Sequence, residues 1–182
     1  AKTIRHKILN HASIFDDTIR VYNEALSFII EVIDQEVERV DAYSTKEMTN
    51  LIERLINATK SNPNPKYTEF NQRFYKFPSY FRRAAIATAF GKVKSYRSLR
   101  KNLETEKQVA LENGRKFNKQ PPTKQLTHKE FPVLYKGNMF KKTSDRTACV
   151  KAFVKNDWVW VDVFFRPQDL FKRGVHEWKE CN

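Results

Sequence analysis

The sequence predicts an α+β chain, a small β-barrel interrupted by a helical insertion. Three observations predict it. Apolar residues near the N-terminus recur with a period of two, those from Asp16 to about residue 113 with a period of 3.6, and those after residue 131 with a period of two again. A lone N-terminal strand cannot bury its face by itself, so it is expected to pair with the later strands, which leaves the helices as an insertion. The implied divisions are a first barrel strand in 1–15, a helical insertion in 16–113, a linker in 114–130, and the remaining barrel strands with a C-terminal segment in 131–182.

Each element has its own signal. In Thr3-Ile4-Arg5-His6-Lys7-Ile8-Leu9, Ile4, His6 and Ile8 share one face and Arg5 and Lys7 the other, a half-buried strand with a cationic outer side. Asp16 or Asp17 is expected to cap a helix whose inward stripe is Ile19, Tyr22, Leu26, Ile29, Ile30, Ile33 and Val37. Ser44 and Glu47 have capping-box spacing and open a second helix, with Met48, Leu51, Ile52, Leu55 and Ile56 inward, that closes before Asn62-Pro63-Asn64-Pro65. An aromatic segment around Tyr67, Phe70 and Phe74 follows. Pro78 suits a first helical turn, and a long helix is expected from there to about Leu111.

Beyond Gly114 the composition turns polar and aperiodic, with Pro121-Pro122 at its centre. Val133-Leu134-Tyr135 and Met139-Phe140-Lys141 read as a hairpin around Gly137-Asn138. Thr147–Val154 and Trp158–Phe165 read as a second hairpin around Lys155-Asn156-Asp157, ended by Arg166-Pro167. Gln168 to Asn182 carries no clear element.

The chain has 182 residues, with 34 Lys plus Arg against 21 Asp plus Glu, a net charge of +13. Charge of this size attracts polyanions at long range. Forty per cent hydrophobic residues support a packed core, and 4 glycines disfavour a Gly-rich phosphate loop. No apolar run nears the ~18 residues of a membrane span, so no membrane partner is expected, and Ala1 to Leu9 does not resemble a signal peptide. Cys149 and Cys181 form neither a metal spacing nor a disulfide framework, in keeping with reduced thiols in the cytoplasm.

The long helix is the most informative element. At 100° per residue, Arg83, Lys94, Arg97 and Lys101 fall within about 40° of one direction. Phe81, Ala85, Ala89, Tyr96, Leu99 and Leu103 lie nearly opposite, and Phe90 sits among the cations as a stacking surface. No acid lies between Arg82 and Lys101, so intrahelical pairing cannot neutralise the row. A phosphate-contacting ridge is expected, against the blander alternative of a solvated charged face. Arg82 and Arg83 open the helix, where guanidinium groups suit guanine edges or phosphate and backbone N–H groups suit anions.

On the last strand Trp158, Trp160, Asp162 and Phe164 share one face and Val159, Val161, Val163 and Phe165 the other. The aliphatic face is expected in the core. The indole face either stacks on bases or, the favoured expectation, packs on the inserted helices or a partner. Asp162 lacks a second acid on the neighbouring strand, so a two-metal nuclease centre is not expected there. His6, His11, His128 and His176 are scattered, without ligand or catalytic spacing. No catalytic residue and no metal ligand is expected in this chain.

Phe77-Pro78-Ser79-Tyr80-Phe81-Arg82-Arg83-Ala84-Ala85-Ile86 through Arg97 is a distinctive run. Taken with Phe131 to Phe140 and Trp158-Val159-Trp160, it resembles the N-terminal half of TnpB-like proteins, transposon-encoded relatives of type V CRISPR effectors. The resemblance covers nearly the whole chain. It implies a wedge β-barrel interrupted by a helical recognition domain, with guide RNA and target-adjacent duplex DNA as partners. By the same resemblance, Ser79, Tyr80, Arg82 and Arg83 would read the duplex, with Lys141, Lys142 and Thr143 facing it from a barrel loop. Lys94, Arg97 and Lys101 would follow the guide–target heteroduplex. Family members continue into a nuclease with three acids and a zinc ribbon. Magnesium and structural zinc are therefore implied for a parent protein, in the bacterial cytoplasm near the nucleoid, that joins this chain to a nuclease segment or second chain. The alternatives are a DNA-binding regulator that needs no RNA and a basic protein-interaction domain.

Overall fold

The computed structural model describes residues 7–11, 13–124 and 129–166. Most of the expected first strand, part of the linker, Pro167 and the C-terminal segment lie outside the described residues, as do His6, His128, His176 and Cys181. What is described is α+β: four α-helices, then a three-stranded antiparallel sheet ordered β1-β2-β3.

Helix α1 (Asp16–Glu36) buries Tyr22, Leu26, Ile29, Ile30 and Ile33 as the spacing requires, and Val37 just beyond it is buried too. Its start corrects the expected cap. Phe15 holds the N-cap position and no side chain caps it. Asp16 and Asp17 stand in the first turn, where carboxylates favour the positive end of the helix dipole, and Asp17 pairs with Arg20 at 3.1 Å. Helix α2 (Thr45–Ile56) opens with the expected capping box. Ser44 Oγ accepts from Glu47 N–H at 3.3 Å, and Ser44 N–H donates to Glu47 Oε2 at 2.8 Å. Met48, Ile52 and Ile56 of α2 are fully buried.

The short helix α3 (Glu69–Arg73) begins an aromatic ladder that continues into the long helix. Ring centroids lie 4.9 Å apart for Phe70–Phe74, 6.0 Å for Phe74–Phe77 and 6.2 Å for Phe77–Phe81. Such pairs contribute ~0.5–1.5 kcal/mol each beyond the area they bury.

Helix α4 (Ser79–Glu112) spans 34 residues with Pro78 at its N-cap. Phe81, Ala84, Ala85, Ile86, Ala89, Phe90 and Val93 are buried, and α1 and α2 both pack on this first half. Beyond Lys94 the helix leaves the core, and Leu99, expected inward, is 55% exposed. Gly114, at φ 62°, closes the helix. Its N–H donates to Leu111 O at 3.0 Å while Arg115 N–H donates to Ala110 O at 2.8 Å, the paired bonds of a Schellman motif.

The expected linker is a strap held to the helices. Lys119 pairs with Glu106 at 2.6 Å and Lys124 with Asp34 at 2.7 Å. Farther on, Lys92 pairs with Glu130 at 2.7 Å, and Asn23 Oδ1 accepts from Glu130 N–H at 2.8 Å.

The first hairpin is not formed as expected. Tyr135 O accepts from Met139 N–H at 2.9 Å, so a turn exists, but Val133–Tyr135 is not a strand. Strand β1 (Phe140–Lys142) pairs instead with β2 (Thr147–Val154), Lys141 opposite Cys149. Strand β3 (Asp157–Phe164) follows β2 through a two-residue turn in which Lys155 and Asn156 have φ of 50° and 62°, the left-handed pair of a type I′ turn. That turn is one residue shorter than expected and places Lys151 opposite Trp160 and Cys149 opposite Asp162.

Ala148, Val150, Val163 and Phe165 form a small second core with Ile8, Phe15 and Phe140. Ile8 bridges Phe165 in antiparallel sense, and Leu9 N–H donates to Phe164 O at 2.9 Å. The chain entering α1 therefore lies along the strand that ends the described residues, and the helices lie between the two in sequence.

Candidate nucleic-acid interface

Of the cations expected to face a polyanion, the structure gives several to the fold. Arg82 is buried, 9% exposed, at the start of α4. Its Nη2 reaches Glu53 Oε1 at 3.4 Å and its Nη1 reaches Phe77 O at 3.5 Å, while Nε has no partner among the described residues. Burial pulls its pKa down against the attraction of Glu53. The expected role of Arg82 as a base or phosphate reader is therefore corrected to an internal one. Arg83 shares the same Glu53 oxygen at 3.4 Å, but its side chain is half exposed and lies 5.6 Å from the Tyr80 ring. Tyr80 packs on Tyr135 at 5.4 Å, and Ser79 is exposed beside it.

Arg97 is also occupied. It pairs with Asp34 of α1 at 3.0 Å and donates to the carbonyls of Asp34, Val37 and Glu38. The expectation of a continuous four-cation ridge fails at this residue. Phe90 is buried at 6% exposure, so it offers no stacking surface. Lys94 and Lys101 are exposed, and neither has a carboxylate partner among the described residues. Lys94 Nζ lies 5.8 Å from the Phe90 ring.

In the β1–β2 connection, Lys142 pairs with Asp145 at 2.6 Å, and Thr143 Oγ1 is bonded to Thr147 Oγ1 at 2.7 Å. Lys141 projects to the opposite face of the sheet from Lys142, over Trp160, with Nζ 4.5 Å from the ring centroid; Lys151 Nζ lies 5.6 Å from the same ring. Cation–π contacts at exposed sites contribute ~0.5–1 kcal/mol each, little enough for a ligand to displace.

The two tryptophans expected on one face have separate fates. Trp158 packs against Phe81 at 4.9 Å, Phe77 at 5.5 Å and Phe153 at 5.2 Å and is 9% exposed. This is the expected sealing against the inserted helices. Two residues on, Trp160 is 39% exposed and Phe164 46%. The helices therefore cover one end of this sheet face and leave the other end open. On the opposite face Val161, Val163 and Phe165 are buried as expected, but Val159 is 37% exposed.

Asp162 lies on the open part, where its Oδ1 accepts from the Cys149 thiol at 2.8 Å, and this bond pushes the Cys149 pKa up. Among the described residues, no group of three or more His, Cys, Asp or Glu comes together to hold a metal ion. No helix among them is long and apolar enough to cross a membrane.

Lys151 was missed by the sequence reading as part of this face. The two-residue turn that pairs it with Trp160 was the signal available, since turn length fixes hairpin register. Asp34 and Glu53, which neutralise cations of α4, left no local signal, because they lie 63 and 29 residues away from their partners.

The chain matches no curated protein and no solved structure. One family model matches it over residues 2–154, the greater part of the 182, and the chain belongs to the Aq_aa04 family.

Proposed function

We propose that this chain is a non-catalytic nucleic-acid recognition module. The observation that carries the reading is the charge left over once the fold has paired its cations. In a chain of net charge +13, Lys94 and Lys101 on the outer half of α4 and Lys141 and Lys151 on the sheet have no carboxylate partner among the described residues. Unbalanced cations on rigid elements favour phosphate. Ser79, Tyr80 and Arg83 at the open start of α4 remain part of the proposed surface. Arg82 and Arg97 serve it by holding α4 in place.

The finer reading is the guide-RNA-binding and target-adjacent-DNA-binding N-terminal part of a transposon-type RNA-guided DNA endonuclease. It rests on the resemblance of the Phe77–Arg97 run and the Trp158-Val159-Trp160 strand to TnpB-like proteins. A wedge-like barrel is supported by the Ile8–Phe165 bridge, which brings the two ends of the described chain together around the helices. Magnesium and zinc chemistry would belong to the parent's nuclease segment.

Equilibrium binding of the purified chain to a structured guide-like RNA and to a DNA duplex, across a salt series, tests the module. With three to four phosphates neutralised, log affinity should fall with log salt at a slope of about −3 for duplex and somewhat less for single strands. Lys94→Ala with Lys101→Ala should flatten the duplex slope by about 1.8. Absent or salt-independent binding overturns the reading. Duplex binding that survives complete RNase treatment favours an RNA-independent regulator over a guide-dependent module.

A further inference from the structure

The sheet face around Trp160 carries two of the lysines on which the reading above rests, Lys141 and Lys151, and its chemistry is particular. Trp160 is 39% exposed in the middle of the open part of this face. Lys151 faces it directly across the β2–β3 pair, and Lys141 reaches it from β1. Asp162 follows on the same face and Phe164, 46% exposed, lies beyond. We infer that this face is a stacking site for single-stranded RNA, in which an unpaired base lies on the Trp160 indole, Lys141 and Lys151 hold its flanking phosphates, and the Asp162 carboxylate accepts a ribose 2′-hydroxyl. The inference rests on the nucleic-acid reading above and gives it a strand type and a site.

Four arguments select this occupant. An aromatic ring on a sheet, flanked by cations, has a π-face for a base and charge for the backbone in one place, the combination that single-strand binders use. A protein partner fits less well, because lysine is depleted from the cores of protein interfaces, whereas two lysines crowd this ring. A duplex fits less well, because its bases are already stacked on one another and offer no free face to the indole. RNA fits better than DNA because Asp162 repels phosphate yet accepts a hydroxyl, and only ribose brings a 2′-hydroxyl to it. Asp162 Oδ1 already accepts from Cys149 Sγ at 2.8 Å, and this bond orients the carboxylate on the face.

In the free protein the two ammonium groups rest over the ring, at 4.5 and 5.6 Å from its centroid. Both lie at the ends of flexible stems, so an incoming base displaces them from the ring towards its own phosphates. No bond is made or broken in this exchange.

The test uses the full chain and a fluorescein-labelled, unstructured RNA of about ten nucleotides, with DNA of the same sequence as the second arm. Trp160→Ala is expected to weaken RNA binding by roughly tenfold or more, and Trp160→Phe, which keeps a ring, to fall closer to the wild type than to the alanine variant. RNA is expected to bind more tightly than DNA, and Asp162→Ala to erase that difference. Saturating RNA should also quench tryptophan emission in the wild type and far less in Trp160→Phe, a readout that does not depend on the alanine variant folding. Wild type that binds RNA with no loss in Trp160→Ala and no quenching overturns the stacking site alone. Equal affinity for RNA and DNA overturns the 2′-hydroxyl contact. Wild type that binds neither RNA nor duplex overturns the module and this site together.

Discussion

Arg97 of α4 closes the C-terminal end of α1 through Asp34. Its Nη2 lies 3.0 Å from Asp34 Oδ1 and 2.9 Å from Asp34 O, and its Nη1 lies 2.8 Å from Glu38 O and also reaches Val37 O. Helix α1 has no basic residue in its own last turn. The final carbonyls of a helix lack intrahelical donors and carry the negative end of its dipole. A guanidinium from a neighbouring helix supplies both the donors and the charge, and the other oxygen of Asp34 takes Lys124 at 2.7 Å to fix the strap. Arg97→Ala is therefore expected to lower stability by about 1.5–3 kcal/mol, the range for hydrogen bonds to charged groups. Arg97→Lys should recover only part of this, because one ammonium cannot reach several carbonyls in a fixed fork. Urea denaturation of the three proteins measures it, and Arg97→Ala with wild-type stability would return this residue to the nucleic-acid surface.

The same carboxylate gives stability a dependence on acid. Burial alone would push the Asp34 pKa up, but hydrogen bonds from Lys124 and Arg97 more than offset this and hold it below its ordinary 3.8. Glu47 is held below its ordinary 4.5 by two hydrogen bonds that its carboxylate accepts from Ser44, one from the hydroxyl at 2.7 Å and one from the backbone N–H at 2.8 Å. A carboxyl with a depressed folded-state pKa stabilises the fold fully above its ordinary value, and the contribution is lost as pH falls through the depressed one. Stability is thus expected to be flat with respect to these groups above about pH 5.5 and to decline below about pH 4.5. Asp34→Asn should be less stable at neutral pH and show a shallower acid slope. Denaturation midpoints measured from pH 7 to pH 3 check both, and an unchanged slope in Asp34→Asn would contradict the assignment.

Arg82 and Glu53 make the opposite kind of contact, a mostly buried charge held by two long bonds, 3.4 Å to a Glu53 oxygen that Arg83 shares and 3.5 Å to Phe77 O. Removing the acid leaves a guanidinium in the core with little compensation, whereas removing the arginine leaves a carboxylate that Arg83 still partners. Glu53→Ala is expected to cost about 3 kcal/mol. Arg82→Met, which keeps most of the volume and removes both the charge and the unpartnered Nε, should cost much less than Glu53→Ala. Thermal unfolding of the two variants decides it, and the reverse order would show that Arg82 is held by more than Glu53.

What the sequence made legible follows the range of each interaction. The capping box at Ser44 and Glu47, the stripe of α1, the extent of α4 and the β2–β3 hairpin were all readable, because each is fixed within a few residues. The long-range pairings were not. No acid lies between Arg82 and Lys101 in the sequence, yet Asp34 and Glu53 arrive from helices folded alongside. Periodicity also could not tell where α4 leaves the core: Leu99 continues the inward stripe in sequence and stands in solvent in the structure. The partner of β1 went wrong for a related reason, since Gly137-Asn138 is a turn signal whichever strand follows it.

Trp158 tests whether helices and sheet unfold as one unit. It is the only residue of β3 in the main core, where it meets Phe77 and Phe81 of the helical block and Phe153 of β2. Its indole Nε1 is buried with no acceptor among the described residues. Trp158→Ala is expected to cost about 3–5 kcal/mol, the range for emptying a large aromatic site. Trp158→Phe keeps a ring among the phenylalanines and removes an N–H that has no acceptor, so part of the cavity cost is offset and the loss should fall well short of the alanine value. Trp160→Ala, at a half-exposed position on the same face, should change stability by less than about 1 kcal/mol. Far-ultraviolet circular dichroism and tryptophan emission followed through one denaturation should give coincident transitions in the wild type, since Trp158 joins the sheet to the helices. In Trp158→Ala the sheet should melt ahead of the helices, and coincident transitions with unchanged midpoints would show that the two parts are joined elsewhere.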